Sequence, residues 1–387
     1  MSSADLEGVE AEPDIPAEAE DEPLVELEGA TVDFTVGTSF NPFSDPETVN
    51  AVNDIDLAIE EQDVLILVGE SGSGKTTLGK VATALQRPTG GEVRYRGQNI
   101  WEAKDGTGQI DIEFRDIRRA LQIIHQDPVS ALNPNRTILQ TLAQPLRIRF
   151  GEDMGPGSRR ERVYNVLEQV NLTPAADYGS RYPHQLSGGE KQRVVLTRAL
   201  MMDPDLILAD EPVSALDVSL RVEIMDLMLE LQEAFGMSYI FVSHNLSNAR
   251  YFAEKAGGRV GIMYLGELVE IGTPEEVIGN PQHPYTQVLK WATPSLAPDE
   301  EEKGSPPLRA IDIPDARNPP SGCRFHTRCP YAREACAEIH PELEETETGG
   351  PEVACFRPDG NHEYWQTPLL DEEAAQVAEE QMEAHLE

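Results

Sequence analysis

Val64-Leu-Ile-Leu-Val68-Gly69-Glu-Ser-Gly-Ser-Gly74-Lys75-Thr76-Thr77 is the stretch that decides the fold. Five apolar residues without polar alternation read as a strand buried on both faces, the pattern of a parallel sheet. The run stops at Gly69, and Thr76–Leu85 then carries helical spacing of apolar side chains. Strand, glycine loop and helix in that order make a phosphate-binding loop. Gly69, Gly72 and Gly74, with Ser71 and Ser73 between them, let successive backbone N–H groups converge on phosphate oxygens. Lys75 neutralises the β- and γ-phosphates, the Thr76 hydroxyl faces Mg²⁺, and Thr77 follows in the first turn. The helix adds the positive end of its dipole.

Two further short apolar runs lie downstream, Leu206–Ala209 and Tyr239–Val242, each ending in polar residues. They read as core strands of the same sheet, with functional residues at the carboxyl ends, where open α/β sheets place ligands. Asp210 ends the first and is placed to hold the magnesium; Glu211 beside it is placed to polarise the attacking water. His244 follows the second and fits a contact to a γ-phosphate. Gln126, within Ile123-Ile-His-Gln-Asp-Pro, is expected to reach metal and water. Phosphoryl transfer needs mostly positioning and charge neutralisation, and this set supplies both. Upstream, Leu24–Phe34 and Ala51–Ile59 alternate as half-buried strands around a polar loop, Gly37–Thr48, and Phe34 is a candidate to stack on adenine. Residues 127–200 are rich in helical pattern, Leu220–Phe235 is an amphipathic helix, and the texture changes after about residue 290 as Pro and Glu rise.

Leu186-Ser187-Gly188-Gly189-Glu190 precedes a strong helix, Lys191–Met201. Ser187 and the two glycines present N–H groups and a dipole to an anion. Residues 69–76 already cradle the phosphates from one side. The second terminus is therefore best satisfied by a nucleotide held on another subunit.

In this order the motifs resemble the nucleotide-binding subunit of an ATP-binding cassette (ABC) transporter over residues 24–290. Beyond those quoted, Ser214-Ala-Leu-Asp217 is similar to the D-loop. The resemblance implies a P-loop, RecA-like α/β core with an antiparallel β-subdomain and a helical subdomain at about 127–200. It further implies a head-to-tail pair of ATPase subunits sandwiching two ATP, with Ser187, Gly188, Gly189 and Asp217 acting across the interface. Closure and hydrolysis would drive two membrane permease subunits. Gln126-Asp-Pro-Val-Ser-Ala-Leu-Asn-Pro134, Arg181-Tyr-Pro-His184 and His283-Pro-Tyr-Thr286 are similar to the dipeptide/oligopeptide importer branch, and Val213-Ser-Ala-Leu-Asp217 to its second ATPase subunit. That implies a paralogous partner ATPase and an extracellular solute-binding protein. The chain departs from the branch at Glu61-Gln-Asp63, where a glycine turn is usual, and at His125, where an aromatic is common.

The chain has 387 residues and a net charge of −38, from 69 acidic and 31 basic residues. An acidic surface on a folded protein accounts for this, and a cytoplasm of high salt suits it, because screening shortens the reach of self-repulsion. Binding to nucleic acid through phosphate contacts is disfavoured, which counts against the alternative of a soluble ABC ATPase acting on nucleic acid or ribosomes. A regulatory subunit that binds without hydrolysing is disfavoured too, since no catalytic position is missing. Residues 1–23 hold nine acidic residues and no basic one, and read as a disordered tail rather than a signal peptide. No apolar run approaches the roughly 20 residues of a membrane span, so the expected place is the cytoplasmic face of the membrane, held there by permease subunits.

All four cysteines fall in the C-terminal extension, residues 291–387, as Cys323-x5-Cys329-x6-Cys336-x18-Cys355. In a cytoplasmic chain disulfides are disfavoured, and four thiolates suit an iron–sulfur cluster or zinc. The absence of close Cys-x2-Cys pairs counts against a zinc ribbon. Gly322-Cys-Arg-Phe-His-Thr-Arg-Cys-Pro330 resembles the extension of peptide-importer ATPases, which implies a [4Fe–4S] cluster, with zinc as the alternative. His326, His340 and His362 read as surface residues.

Overall fold

The computed structural model describes residues 22–36, 47–127, 132–293, 307–346 and 349–383. Most of the expected acidic tail, through residue 21, lies outside these residues, as do positions 37–46 of the expected loop and 128–131 of the Gln126 segment. The strands are β1 (Val25–Val36), β2 (Glu47–Ile59), β3 (Val64–Val68), β4 (Gly90–Tyr95), β5 (Gln98–Asn99), β6 (Leu121–Ile124), β7 (Leu206–Asp210), β8 (Ser238–Ser243), β9 (Arg259–Tyr264), β10 (Glu267–Gly272), β11 (Glu344–Glu345) and β12 (Glu352–Val353).

An eight-stranded sheet in the order β11-β12-β10-β9-β3-β8-β7-β6 forms the centre. Five consecutive strands, from β9 to β6 at one edge, are parallel, with β3 in register from Val64 opposite Tyr239 to Val68 opposite Ser243. All five residues of β3 are buried, and successive side chains serve opposite faces. Val64, Ile66 and Val68 enter the core shared with the helical part, while Leu65 and Leu67 enter the core shared with the antiparallel part. This two-sided burial is why the run shows no polar alternation.

The second sheet is antiparallel, in the order β2-β1-β4-β5. The turn from β2 to β3 runs through Glu61-Gln-Asp63, and Gln62 takes a φ of +59°, the backbone conformation a glycine adopts more readily. Helices Ile138–Phe150, Pro156–Gln169, Ala175–Ser180 and Gly188–Leu200 make the helical part. Thr137 and Gln140 close the first with a reciprocal capping box, satisfying two orphan donors.

The segment after residue 307 is not a free-standing unit. Glu270 and Ile271 of β10 pair with Val353 and Glu352 of β12, so the late chain extends the central sheet. Phe325, Cys329 and Tyr331 join the main core. The change of composition near residue 290 therefore marks a change of surface and not an independent core.

Candidate nucleotide site

Strands β3, β8, β7 and β6 are neighbours and run the same way, so the loops after them gather along one edge of the sheet. After β3 come residues 69–77, after β8 His244, after β7 Glu211, and after β6 Gln126. The edge is what brings residues more than a hundred positions apart into one site.

The loop is shaped by exclusion. A Cβ on Gly69 would run into the Met263 carbonyl oxygen and lie 2.7 Å from the Ser73 hydroxyl, so the chain passes there only as glycine. Gly74 takes a φ of +103°, and a Cβ on it would collide with the Ala51 carbonyl oxygen. Gly72 has open space where a side chain would stand. The concavity is thus walled on the protein side and open on the other. Lys75 donates to the Gly69 and Glu70 carbonyls, both at 2.8 Å, and to Ser73 Oγ at 3.2 Å. Burial pushes its ammonium pKa down, while the charges of Glu211, Asp210 and Glu70 push it back up. Ser71 is exposed, and Thr77 is half-buried in the first helical turn.

The remaining polar groups satisfy one another. The Thr76 hydroxyl donates to Asp210 Oδ1 at 2.7 Å, so the two residues predicted to serve magnesium already touch. Oε2 of Glu211 accepts from Gln126 Nε2 at 3.0 Å and stands 3.0 Å from His244 Nδ1. Glu211 holds a φ of +48°, a left-handed backbone that costs a non-glycine residue about 1–2 kcal/mol. Its N–H is tied to the Val242 carbonyl at 3.1 Å. The strain turns the carboxylate from β7 towards β8, where His244 waits. Thr76 and Asp210 are placed to take a hard divalent cation through oxygen. Such a cation supplies neutralisation of the phosphate charge. Glu211, 20% exposed, has a more exposed His244 at its side.

Phe34 stands on β1 opposite Val49 and is 40% exposed, outside both cores. Ser187 caps the helix Gly188–Leu200: its Oγ accepts the Glu190 N–H at 3.3 Å, and the Glu190 carboxylate accepts the Ser187 N–H at 2.7 Å. Gly188 is open to solvent, whereas a Cβ on Gly189 would meet Leu220. Asp217 caps the helix Val218–Phe235, accepting from Leu220 N–H at 3.0 Å and from the Ser219 hydroxyl at 2.9 Å. Among the described residues, no hydrogen bond or ion pair joins Ser187, Gly188, Gly189 or Asp217 to residues 69–77. Val218, next to Asp217, is 74% exposed, so this face offers an apolar residue to solvent.

The four cysteines carry no disulfide. Each lies within electrostatic reach of the other three, and burial pushes all four thiols up. Backbone N–H groups of Phe325, Tyr331 and Arg357 bond the sulfurs of Cys323, Cys329 and Cys355 and pull the other way. Among the described residues no group of three or more His, Cys, Asp and Glu is gathered closely enough to hold a metal ion. Neither the expected cluster nor its zinc alternative therefore has a preassembled ligand set. Of the histidines, His340 is half-exposed beside Glu267, and His362 stacks on Phe356 at 4.9 Å.

Sequence reasoning passed over two residues that shape the loop. Tyr285 Oη accepts the Glu70 N–H at 2.8 Å. Arg328 forks onto the Glu70 carboxylate at 3.0 and 3.2 Å. The signal for Tyr285 was present in His283-Pro-Tyr-Thr286, which carried family resemblance but no chemistry. Nothing in the sequence pairs positions 70 and 328.

Comparison with known proteins agrees with this geometry. The ABC transporter family profile matches residues 52–214, and the profile for the C-terminal region of oligopeptide/dipeptide transporters matches 269–336. The chain is 42% identical over 318 residues to the dipeptide transport ATP-binding protein DppF of Haemophilus influenzae, covering 82% of this chain and 92% of that one. It is 40% identical over 322 residues to the oligopeptide transport ATP-binding protein OppF of Salmonella typhimurium, covering 83% and 92%. Among solved structures it is similar to the ATP-binding cassette MJ0796, a dimeric post-hydrolysis state bound to ADP and Pi. There the TM-score is 0.53 at 29% identity, covering 65% of this chain and 98% of that one.

Proposed function

This chain belongs to the ATP-binding subunits of dipeptide and oligopeptide ABC transporters, and from that premise we propose that it hydrolyses ATP to power uptake of a solute of the peptide class. The observation that carries the proposal is the division of the site. The loop 69–77, Asp210, Glu211, Gln126 and His244 meet on one sheet edge, while Ser187, Gly188, Gly189 and Asp217 sit unbonded to them. Each chain thus holds a complete hydrolytic half and a separate anion-binding half. A second ATPase subunit, most simply a paralogue, supplies the missing half in reciprocal fashion, and two permease subunits take up the motion of closure.

Lys75 and the loop amides hold the phosphates in place; Thr76 and Asp210 hold the magnesium; Glu211 takes a proton from the water; His244 and Gln126 keep that carboxylate and its water aligned. Among the described residues no helix is long and apolar enough to cross a membrane. Attachment at the cytoplasmic face through the permeases is the reading that fits a transporter subunit. A solute-binding protein on the far side would select the cargo. The net charge of −38 gives nucleic acid phosphates no attraction and fits a salt-rich interior. The test is reconstitution: the purified complex in vesicles should take up labelled di- and tripeptides only with ATP and this chain present. Uptake without the chain, or hydrolysis that stays unchanged per chain on dilution of the isolated subunit, would refute it.

The four cysteines are proposed to hold a [4Fe–4S] cluster. The four thiols lie within electrostatic reach of one another, and the backbone N–H bonds to three of the sulfurs are of the kind that tune such clusters. Bound there, a cluster would staple the late chain to the core. Visible absorbance together with iron and sulfide analysis of anaerobically purified protein decides it; zinc in place of iron would overturn it.

A further inference from the structure

Glu70 is a peculiar residue to find inside a cradle for polyanions. Its carbonyl holds Lys75 Nζ at 2.8 Å, and its carboxylate is close enough to raise the Lys75 pKa. An unopposed negative charge there competes with the phosphates for the same ammonium and repels them through a partly desolvated medium. The structure opposes it from an unexpected direction. Arg328, 3% exposed, reaches from the loop between Cys323 and Cys329 and forks onto both carboxylate oxygens of Glu70. The guanidinium lies over the rings of Tyr264 and Phe325, 5.7 and 5.6 Å from their centroids. A rigid planar fork packed this way has little freedom to leave.

A second arginine of the same loop points the same way. Arg324 bonds Glu267 at 2.7 Å and Asn50 at 3.0 Å, and it also donates to the Leu265 carbonyl. Leu265 begins the turn whose next residue, Gly266, donates its N–H to the Ser73 carbonyl at 2.9 Å. The segment 324–328 therefore touches the phosphate loop at Glu70 directly and at Ser73 through one turn. Packing alone does not call for this. An apolar pair in the same space would fill it as well, often with a gain in stability.

We propose that Arg328 is a positioning residue of the nucleotide site, supplied by the cysteine loop, which cancels the Glu70 charge so that residues 69–77 accept MgATP. The late chain is then part of the binding apparatus, and seating of the 323–329 loop is a condition for nucleotide affinity. This rests on the ATP reading above and specifies what that site requires.

The experiment measures the Kd for MgATP with a fluorescent nucleotide analogue on the purified complex. Iron content and melting temperature serve as controls of folding. Arg328→Gln should weaken binding by at least about tenfold, because it leaves a carboxylate unpaired beside the phosphates. The loss should fall on KM more than on kcat. The double variant Arg328→Gln with Glu70→Gln should return to within about threefold of the parent, since nothing then needs cancelling. Glu70→Gln alone should bind as tightly as the parent or tighter. A double variant as weak as Arg328→Gln would assign the arginine to packing and overturn the inference, and so would an Arg328→Gln protein that binds like the parent. Should Arg328→Gln not fold, Glu70→Gln decides: tenfold weaker binding there overturns the proposal, and equal or tighter binding upholds it. A parent complex that binds no MgATP refutes the functional reading itself, before any variant is compared. Absence of iron in the parent removes the cluster and leaves this inference standing.

Discussion

Replacing Glu211 by glutamine separates binding from chemistry within one side chain. Oε2 of Glu211 accepts from Gln126 at 3.0 Å and stands 3.0 Å from His244. A glutamine carbonyl oxygen has the two lone pairs to serve both, and the side chain has the same length and tolerates the same left-handed backbone. The change should therefore leave stability within about 1 kcal/mol and MgATP affinity within about threefold. What vanishes is the base. Loss of a positioned general base slows proton transfer by about a hundred- to ten-thousand-fold, or about 3–5 kcal/mol of barrier. Phosphate release at saturating MgATP, followed in the assembled complex, reads kcat, and equilibrium binding of a fluorescent analogue reads affinity. An equal fall in kcat and kcat/KM at unchanged Kd marks an interaction used in the transition state. Undiminished turnover would remove Glu211 from that role. Weakened binding matching the lost rate would show that the variant has disturbed the loop instead.

Three other outcomes follow from the same coordinates. Gly74→Ala forces a Cβ into the Ala51 carbonyl at a φ of +103°; the loop must shift, and MgATP affinity should drop at least about tenfold with a lower melting temperature, both readable in one ligand-dependent thermal scan. Glu270 is wholly buried, and its pKa is pushed up by burial from 4.5 to about 7. Its contribution is complete below the unfolded value and is lost as pH rises through the folded one, so native stability relative to Glu270→Gln should fall by about 2 kcal/mol from pH 5.5 to 8. Denaturant titrations of both proteins check this, with the pKa-depressed His283 cancelling because both carry it; a difference independent of pH would refute it. Finally, a chain of net charge −38 should gain melting temperature steadily between 0.1 and 2 M KCl as self-repulsion is screened. A flat response in calorimetry would dissociate the acidity from any adaptation to salt.

Much of the site was legible because the chemistry sits at strand ends, and strands announce themselves as apolar runs. β3 was read at its observed bounds, and β7 and β8 within one residue at either end, so the strand-end positions of Asp210, Glu211 and His244 were read correctly. The helix starting at Gly188 was anticipated three residues late, since Gly188 and Gly189 look like loop when read by propensity alone. Gln62 shows the opposite case: tertiary context holds a glutamine where local rules ask for glycine. The sequence also suggested a late domain of its own, because composition shifts near residue 290. Pairing of β12 with β10 depends on long-range register, which leaves no trace in a two-residue strand such as Glu352–Val353. The Arg328–Glu70 fork is hidden for the same reason, being a contact across 258 positions.

The attachment of β12 to β10 has a consequence for anyone wishing to borrow this engine. A cassette trimmed after the helix Pro284–Ala292 would bare the outer rim of β10, with backbone donors and acceptors of Glu270 and Ile271 that now pair with the late chain. Such a rim recruits whatever strand drifts past. The minimal transplantable motor is accordingly the whole length through residue 353, and shortened versions should be lost to clumping rather than to sluggish catalysis.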